Sequence, residues 1–449
     1  MTNKPANLIY GVDDKPPFSI LFILGLQHIF LMSSTLVLPI VLITEIGGSF
    51  EQIRSVVGLT MIACGIGTVL QALRCRFLGS GFVCPNLCGP NFFLSSLEAA
   101  WLGGLPLMRG MTIIAGLVEI VFARIVDKIK FLFPPEITGL VVLMVAQGLI
   151  SLGVSKFFGI NYEGEPIQGT NVLIATITLL IMVGVNVWSK KKLRLYSVLI
   201  GMICGYLLSY FTGQLTPIQF HNFTSSPWIA TPFLSDAFKF SFRWSLLPVF
   251  IIVSITGALK SFGNLIMCEQ VNDEHWQKPD VKRIANGLVA DALCVTASGL
   301  LGGVASDTSA SNVALSRASG ATSRFIGYVA GVLFIILGFF PKISGALSVM
   351  PTPVMGAIIV FVTSFMIISG IQIIIGAGVD TKKTFVIGIA FIFGISLDVL
   401  PSLFSTVPYY LKPLVDSPLT LSTVLAVVLN QILNINWKKQ LHKSPFASN

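Results

Sequence analysis

Residues 306–324 read SDTSASNVALSRASGATSR, with eight Ser or Thr and two Arg among nineteen positions. The flanks are SGLLGGVA (298–305) and FIGYVAGVLFIILGFF (325–340). A polar, small-residue stretch between two apolar ones is a poor lipid-facing helix. Unpaired backbone N–H and C=O groups cost several kcal/mol in hydrocarbon, so such a stretch belongs where it is buried in protein or lines a cavity. A second stretch has the same character: GSGFVCPNLCGPNFFLSS (79–96) holds Pro85, Pro90, Asn86 and Asn91. The prolines remove backbone donors and break a helix. Two broken segments carrying short extended stretches are therefore expected, lining a shared site, with a partly positive helix N-terminus aimed into it. The competing reading is close helix packing through small residues.

The rest of the chain places these segments in a membrane. Of 449 residues, 54% are hydrophobic and 11% charged, where soluble domains carry about 25% charged. Mean hydropathy is +0.84. Candidate spans of about 20 apolar residues fall near 18–44, 55–73, 81–100, 106–126, 131–154, 171–189, 195–212, 245–268, 284–303, 306–321, 325–342, 346–374, 383–400 and 418–436. The expected fold class is an all-α polytopic membrane protein with fourteen segments, two of them short and broken. The start lacks a signal-peptide pattern. No long polar region offers a separate soluble domain.

Net charge is +9, and its placement sets orientation. Lys and Arg gather at 74–76, 124–130, 190–194, 278–283, 381–383 and 437–439. With the N-terminus cytoplasmic, all of these loops fall on the cytoplasmic side, as the positive-inside rule requires. These clusters sit at the ends of apolar runs, which argues against nucleic-acid binding. The long outer loop at 213–244 ends in FLSDAFKFSFRW (233–244), read as an interfacial amphipathic helix or a packed loop. Cys84 and Cys88 fall short of a four-ligand metal pattern, and all seven Cys are read as small core residues.

An internal repeat is visible. FPPEITGLVVLMV (133–145) is similar to MPTPVMGAIIVFV (350–362), aligning Pro134 with Pro351 and Gly139 with Gly356. RGMTIIAGLVEIV (109–121) is similar to SRFIGYVAGVLFII (323–336), at nearly the same offset. Seven spans repeated must invert, and inverted repeats mark transporters with a site near the midplane. Only four His exist, at 28, 221, 275 and 442, and neither H-E-x-x-H nor a nucleophile elbow is present. An intramembrane enzyme is the poorer reading.

Four places carry a family resemblance. GLQHIF (25–30) holds a Gln-His pair, Gln27 and His28. GSGF (79–82) precedes the first break, LKSFGN (259–264) lies in the eighth span, and TSASNVALSRASGATSR (308–324) lies in the tenth. ANGLVADALCVTASGLLGG (285–303) fits the ninth. The chain resembles the nucleobase–ascorbate transporters, the nucleobase:cation symporter-2 family, over roughly 17–436. The resemblance implies two inverted repeats of seven, forming a core (18–130 and 245–343) and a gate (131–244 and 344–436), with cytoplasmic tails at 1–17 and 437–449. It also implies a homodimer; no cofactor is expected.

Carried over position by position, the resemblance places Phe82, Asn264 and Asn312 in the substrate site, with Lys260 where the family has Glu and Ser311 where it has Gln or Glu. Ala314 replaces the signature's Gly, and Ser319 its Thr. A midspan Lys costs about 2.5–3.5 kcal/mol even on insertion scales and usually faces a pathway. Lys260 is therefore either a site residue or half of an ion pair with Asp291 or Asp307. Lys donates and cannot accept, so it suits carbonyl oxygens or an anion. Gln27, His28, Asp291 and Asp307 are the supporting or coupling candidates. Glu119 is expected to pair with a basic neighbour, and Glu136 to cap a helix start.

The expected function is secondary active transport of a nucleobase-like substrate, a purine such as xanthine or urate. Protons or Na⁺ would drive it, in a plasma membrane (the inner membrane if bacterial). The alternative is an anion transporter or exchanger of the same fold, for sulfate, bicarbonate or an organic anion, using Lys260.

Overall fold

The structure, a computed structural model, describes residues 5, 8–129, 134–160, 166–189, 191–194, 196–215, 221, 223–233, 238–376, 378–400, 402, 407 and 417–434. Sixteen helices and two strands carry the description. In order they are α1 (Phe18–Ser33), α2 (Val37–Glu45), α3 (Phe50–Ala72), β1 (Asn86–Cys88), α4 (Phe93–Ile129), α5 (Pro135–Phe157), α6 (Gly169–Trp188), α7 (Lys191–Arg194) and α8 (Ser197–Phe211). Then follow α9 (Leu247–Asn272), α10 (Val281–Leu301), β2 (Ser306–Thr308), α11 (Ala310–Ser319), α12 (Arg324–Gly338), α13 (Pro341–Ser348), α14 (Thr352–Gly376), α15 (Thr381–Val399) and α16 (Pro418–Asn434).

Local chemistry sets the ends. Ser49 and Gln52 form a reciprocal capping box at the start of α3. Asp280 caps α10 through the Arg283 N–H, and Ser309 caps α11 through the Asn312 N–H. Gly302 and Gly320 follow α10 and α11 with φ of 93° and 68°, left-handed turns that favour glycine.

Two compact units emerge, 1–127 with 147–365 and 128–146 with 366–449. In the larger, α3 is central and packs against α10, α12 and α13, while α1 packs on α12. Small residues allow this. A Cβ on Gly65 would lie 2.6 Å from the Gly331 carbonyl oxygen, and one on Gly331 2.7 Å from that of Gly65. In the smaller unit α15 packs on α16. There Glu136, in the first turn of α5, pairs with Lys383 at 3.7 Å. Its role is thus an ion pair as well as a favourable charge at a helix start.

Among the described residues, eight helices are long and apolar enough to cross a membrane, or nine if the bent pair α12–α13, turned by 78°, counts as one span. Three expectations change. The span expected at 346–374 begins at Thr352, because Pro341 and Pro351 set α13 apart. Residues 238–243 form no helix, and 234–237 of the expected amphipathic segment lie outside the described residues. Cys75 is exposed and Cys204 half-buried, because Cys75 falls in the polar RCR loop; the other five Cys are buried.

Candidate functional site

The two stretches singled out above meet. β1 and β2 pair antiparallel, with Asn86 opposite Thr308, Leu87 opposite Asp307 and Cys88 opposite Ser306. Pro85 and Pro90 bias Cys84 and Gly89 toward extended backbone, and Gly89 has φ −93° and ψ 149°. Each break thus supplies the other's missing backbone partners inside an apolar fold. Two threonines of α3, two helical turns apart, complete the job. Thr68 Oγ1 accepts from the Asn86 N–H at 3.1 Å, and Thr60 Oγ1 from the Val304 N–H at 3.0 Å.

α9 lies beside this strand pair and presents three polar side chains to it. Lys260 donates to Asp307 Oδ1 at 2.8 Å. The Lys260 side chain is 34% exposed and that of Asp307 1%. Among the described residues, Asp307 Oδ2 has no hydrogen-bond partner. Asn264 donates to both the carbonyl oxygen and Oγ1 of Thr308, each at 3.0 Å. Ser261 receives the Thr308 hydroxyl at 2.7 Å and itself donates to Asp291. The other Asp291 oxygen accepts from the Asn86 amide. Lys260 is therefore paired with Asp307, and Asp291 is held by neutral donors.

Gly89 is where the site tolerates no side chain. A Cβ there would lie 2.3 Å from Asp307 Oδ1 and 2.6 Å from Oδ2. The first break can approach the carboxylate only because residue 89 is glycine.

On α11, Asn312 is fully buried, and its Oδ1 meets His28 Nδ1 at 2.7 Å. Ser316 Oγ lies 3.4 Å from His28 Nε2. His28 thus ties α1 to α11. Gln27, one residue earlier, points about 100° around the helix and is only partly buried. Ser311 is exposed at the start of α11, as is Ala314 one turn later. Arg317 is exposed in the last turn. Phe82 is buried, with the Arg283 guanidinium 3.6 Å above its ring centre. Arg283 Nε also donates to the Ser80 carbonyl at 2.6 Å.

Of the five residues assigned to substrate, Lys260 and Ser311 are thus accessible, while Asn264, Asn312 and Phe82 are spent on internal contacts. Ser261, Thr308, Asn86 and Arg283 were missed. Ser261 and Asn86 stand inside the quoted motifs, but short polar residues there carry no role until their neighbours are known. Glu119 departs from expectation too: no basic side chain pairs with it among the described residues, and neither carboxyl oxygen receives a donor. Nor do three or more His, Cys, Asp or Glu side chains there gather to hold a metal ion.

Comparison with known proteins places this arrangement. The family model described as Permease family, that of the xanthine and uracil permeases, matches residues 19–403. The chain is 25% identical over 441 residues to a putative purine permease of Clostridium perfringens, covering 96% of this chain and 94% of that protein. It is 25% identical to the xanthine permease XanQ of Escherichia coli (97% and 96% covered). It is 27% identical to the uric acid permease PucJ of Bacillus subtilis (94% and 94% covered). In fold it is similar to the transmembrane domain of the cyanobacterial bicarbonate transporter BicA, with a TM-score of 0.57 at 14% identity, covering 92% and 98% of the two chains. The murine anion transporter Slc26a9 gives a TM-score of 0.59 at 12% identity, covering 94% and 69%. Its long apolar helices, its paired breaks and a match across most of its length lead to one conclusion: the chain belongs to the xanthine and uracil permease family, and is an integral membrane permease rather than an enzyme.

Proposed function

We propose that the protein is a secondary active transporter of a purine such as xanthine or urate. Core 18–130 and 245–343 would move as a body relative to gate 131–244 and 344–436 in alternating access. Fourteen segments in two inverted repeats belong to this reading, with α4 counted as two across Gly103–Gly104, its first half carrying β1, with β2 and α11 counted as one, α1–α2 and α12–α13 as one each, and with α8, α15 and α16 each counted. A homodimer in the plasma membrane, both termini cytoplasmic, with H⁺ or Na⁺ as driving cation, completes the reading.

The observation that carries it is the Lys260–Asp307 pair on an accessible face of α9. Lys260 spends one of its three donors on Asp307, and Asp307 keeps one acceptor unused. The two remaining Lys260 donors suit the carbonyl oxygens of an oxidised purine. Ser311 adds a hydroxyl; Asn264, Asn312, His28 and Phe82 brace the frame. The pairing also weighs against an anion carrier, since Asp307 already matches the charge of Lys260. The purine and uric acid permeases at about 25% identity support the same class.

The test is equilibrium binding of radiolabelled xanthine and urate to the purified protein, with uracil and sulfate as competitors. Saturable purine binding that Lys260→Ala abolishes is expected. Displacement by sulfate but not by purines would overturn the reading in favour of the anion carrier.

A further inference from the structure

α4 and α10 touch through glycines. A Cβ on Gly116 would lie 2.2 Å from Thr296 Oγ1 and 2.9 Å from the Ala292 carbonyl oxygen. A Cβ on Gly299 would lie 2.8 Å from the Ile113 nitrogen and 2.9 Å from the Arg109 carbonyl oxygen. The helices therefore run antiparallel in backbone contact, 109–113 against 299 and 116 against 292–296. Glu119 stands three residues beyond Gly116 on the same face, which brings its carboxyl to that of Asp291.

Glu119 is 1% exposed, and among the described residues neither of its oxygens receives an N–H or O–H donor. The groups facing it are Asp291 and Cys294 from α10 and Asp307 from β2. Lys260, from α9, faces Asp307 and Asp291 rather than Glu119. Asp291 already has a donor on each oxygen, from Asn86 and Ser261, so it is the better stabilised as a carboxylate. Two bare carboxylates side by side repel. One proton between them converts the repulsion into a charge-assisted O–H···O⁻ bond.

We propose that Glu119 and Asp291 hold a single exchangeable proton, carried on Glu119 and donated toward Asp291, and that it is the proton coupled to transport. The coupling half rests on the transporter reading above. The occupant is a proton rather than Na⁺, because one proton on Glu119 removes the repulsion between the two carboxylates directly. Only the Glu119 O–H bond breaks: release sends H⁺ to water and leaves two carboxylates, and rebinding restores the pair. Asp307 stays charge-matched by Lys260 throughout.

The test uses the full chain reconstituted in liposomes. A protonated carboxylic acid has an infrared C=O stretch that a carboxylate lacks. The difference spectrum of wild type and Glu119→Gln at neutral pH is expected to carry that band, and Glu119→Asp to restore it. Glutamine keeps the shape and a donor toward Asp291, so the fold is retained. An entrapped pH dye then follows protons during xanthine uptake. Glu119→Gln is expected to exchange labelled for unlabelled xanthine yet lose all substrate-coupled proton movement. Absence of the band from the difference spectrum overturns the proton site. A band lost with proton movement intact overturns the coupling role. A wild type that moves no purine sinks the transporter reading instead, and the infrared result still decides whether the pair holds a proton.

Discussion

Lys260 at midspan of α9 donates to Asp307 on β2 at 2.8 Å, and Asp307 is 1% exposed. One charged pair thus fastens a continuous helix to a broken segment. Removing one partner of a buried pair costs about 3–5 kcal/mol. A third of the Lys260 side chain is exposed, so Lys260→Ala is expected to cost less, about 2 kcal/mol. Lys260→Ala/Asp307→Ala should cost less than the sum of the singles. Thermal unfolding in detergent measures the set; additivity within about 0.5 kcal/mol would contradict the pairing.

Gly89→Ala puts a methyl 2.3 Å from Asp307 Oδ1. Overpacking of this kind costs about 1–3 kcal/mol. The variant is expected to fold with a lowered melting temperature and to lose substrate binding, because the carboxylate must shift off Lys260. Unchanged binding affinity in Gly89→Ala would show that Asp307 has room to move.

His28 and Asn312 join α1 to α11 at 2.7 Å. Each alanine substitution is expected to cost about 1–2 kcal/mol, since a buried polar partner is left unmet. The double variant should be no worse than the poorer single. A double-mutant cycle of melting temperatures checks this, and a coupling energy near zero would contradict it.

Two glycines should behave in opposite ways. Gly65→Val drives a side chain into the Gly331 backbone, 2.6 Å from where its Cβ would begin, and is expected to abolish folded expression. Gly263→Ala meets nothing within 4 Å and is expected to express and melt like wild type. Fluorescence-detected size exclusion separates the two outcomes.

The breaks were legible because Pro85, Pro90 and the Ser-Thr run at 306–324 are chemically unfit for a lipid-facing helix. Their pairing was not legible, because strands of three residues carry no periodicity. Lys260 was legible as costly, but the choice between Asp291 and Asp307 depends on the register of β2 against β1. Glu119 was misread for a related reason. Its neighbour is set by the Gly116 contact with α10, a tertiary approach that no local pattern encodes. Asn264 and Asn312 hold internal hydrogen bonds to Thr308 and His28, partners that spacing alone does not foretell.

The most direct measurement is uptake of radiolabelled xanthine and urate by cells lacking their own purine carriers, comparing wild type, Lys260→Ala and Gly263→Ala. Saturable purine uptake in wild type and Gly263→Ala, lost in Lys260→Ala, is the expected result. Uptake that survives Lys260→Ala unchanged, or sulfate uptake with none of either purine, would contradict a purine site built on Lys260 and Asp307.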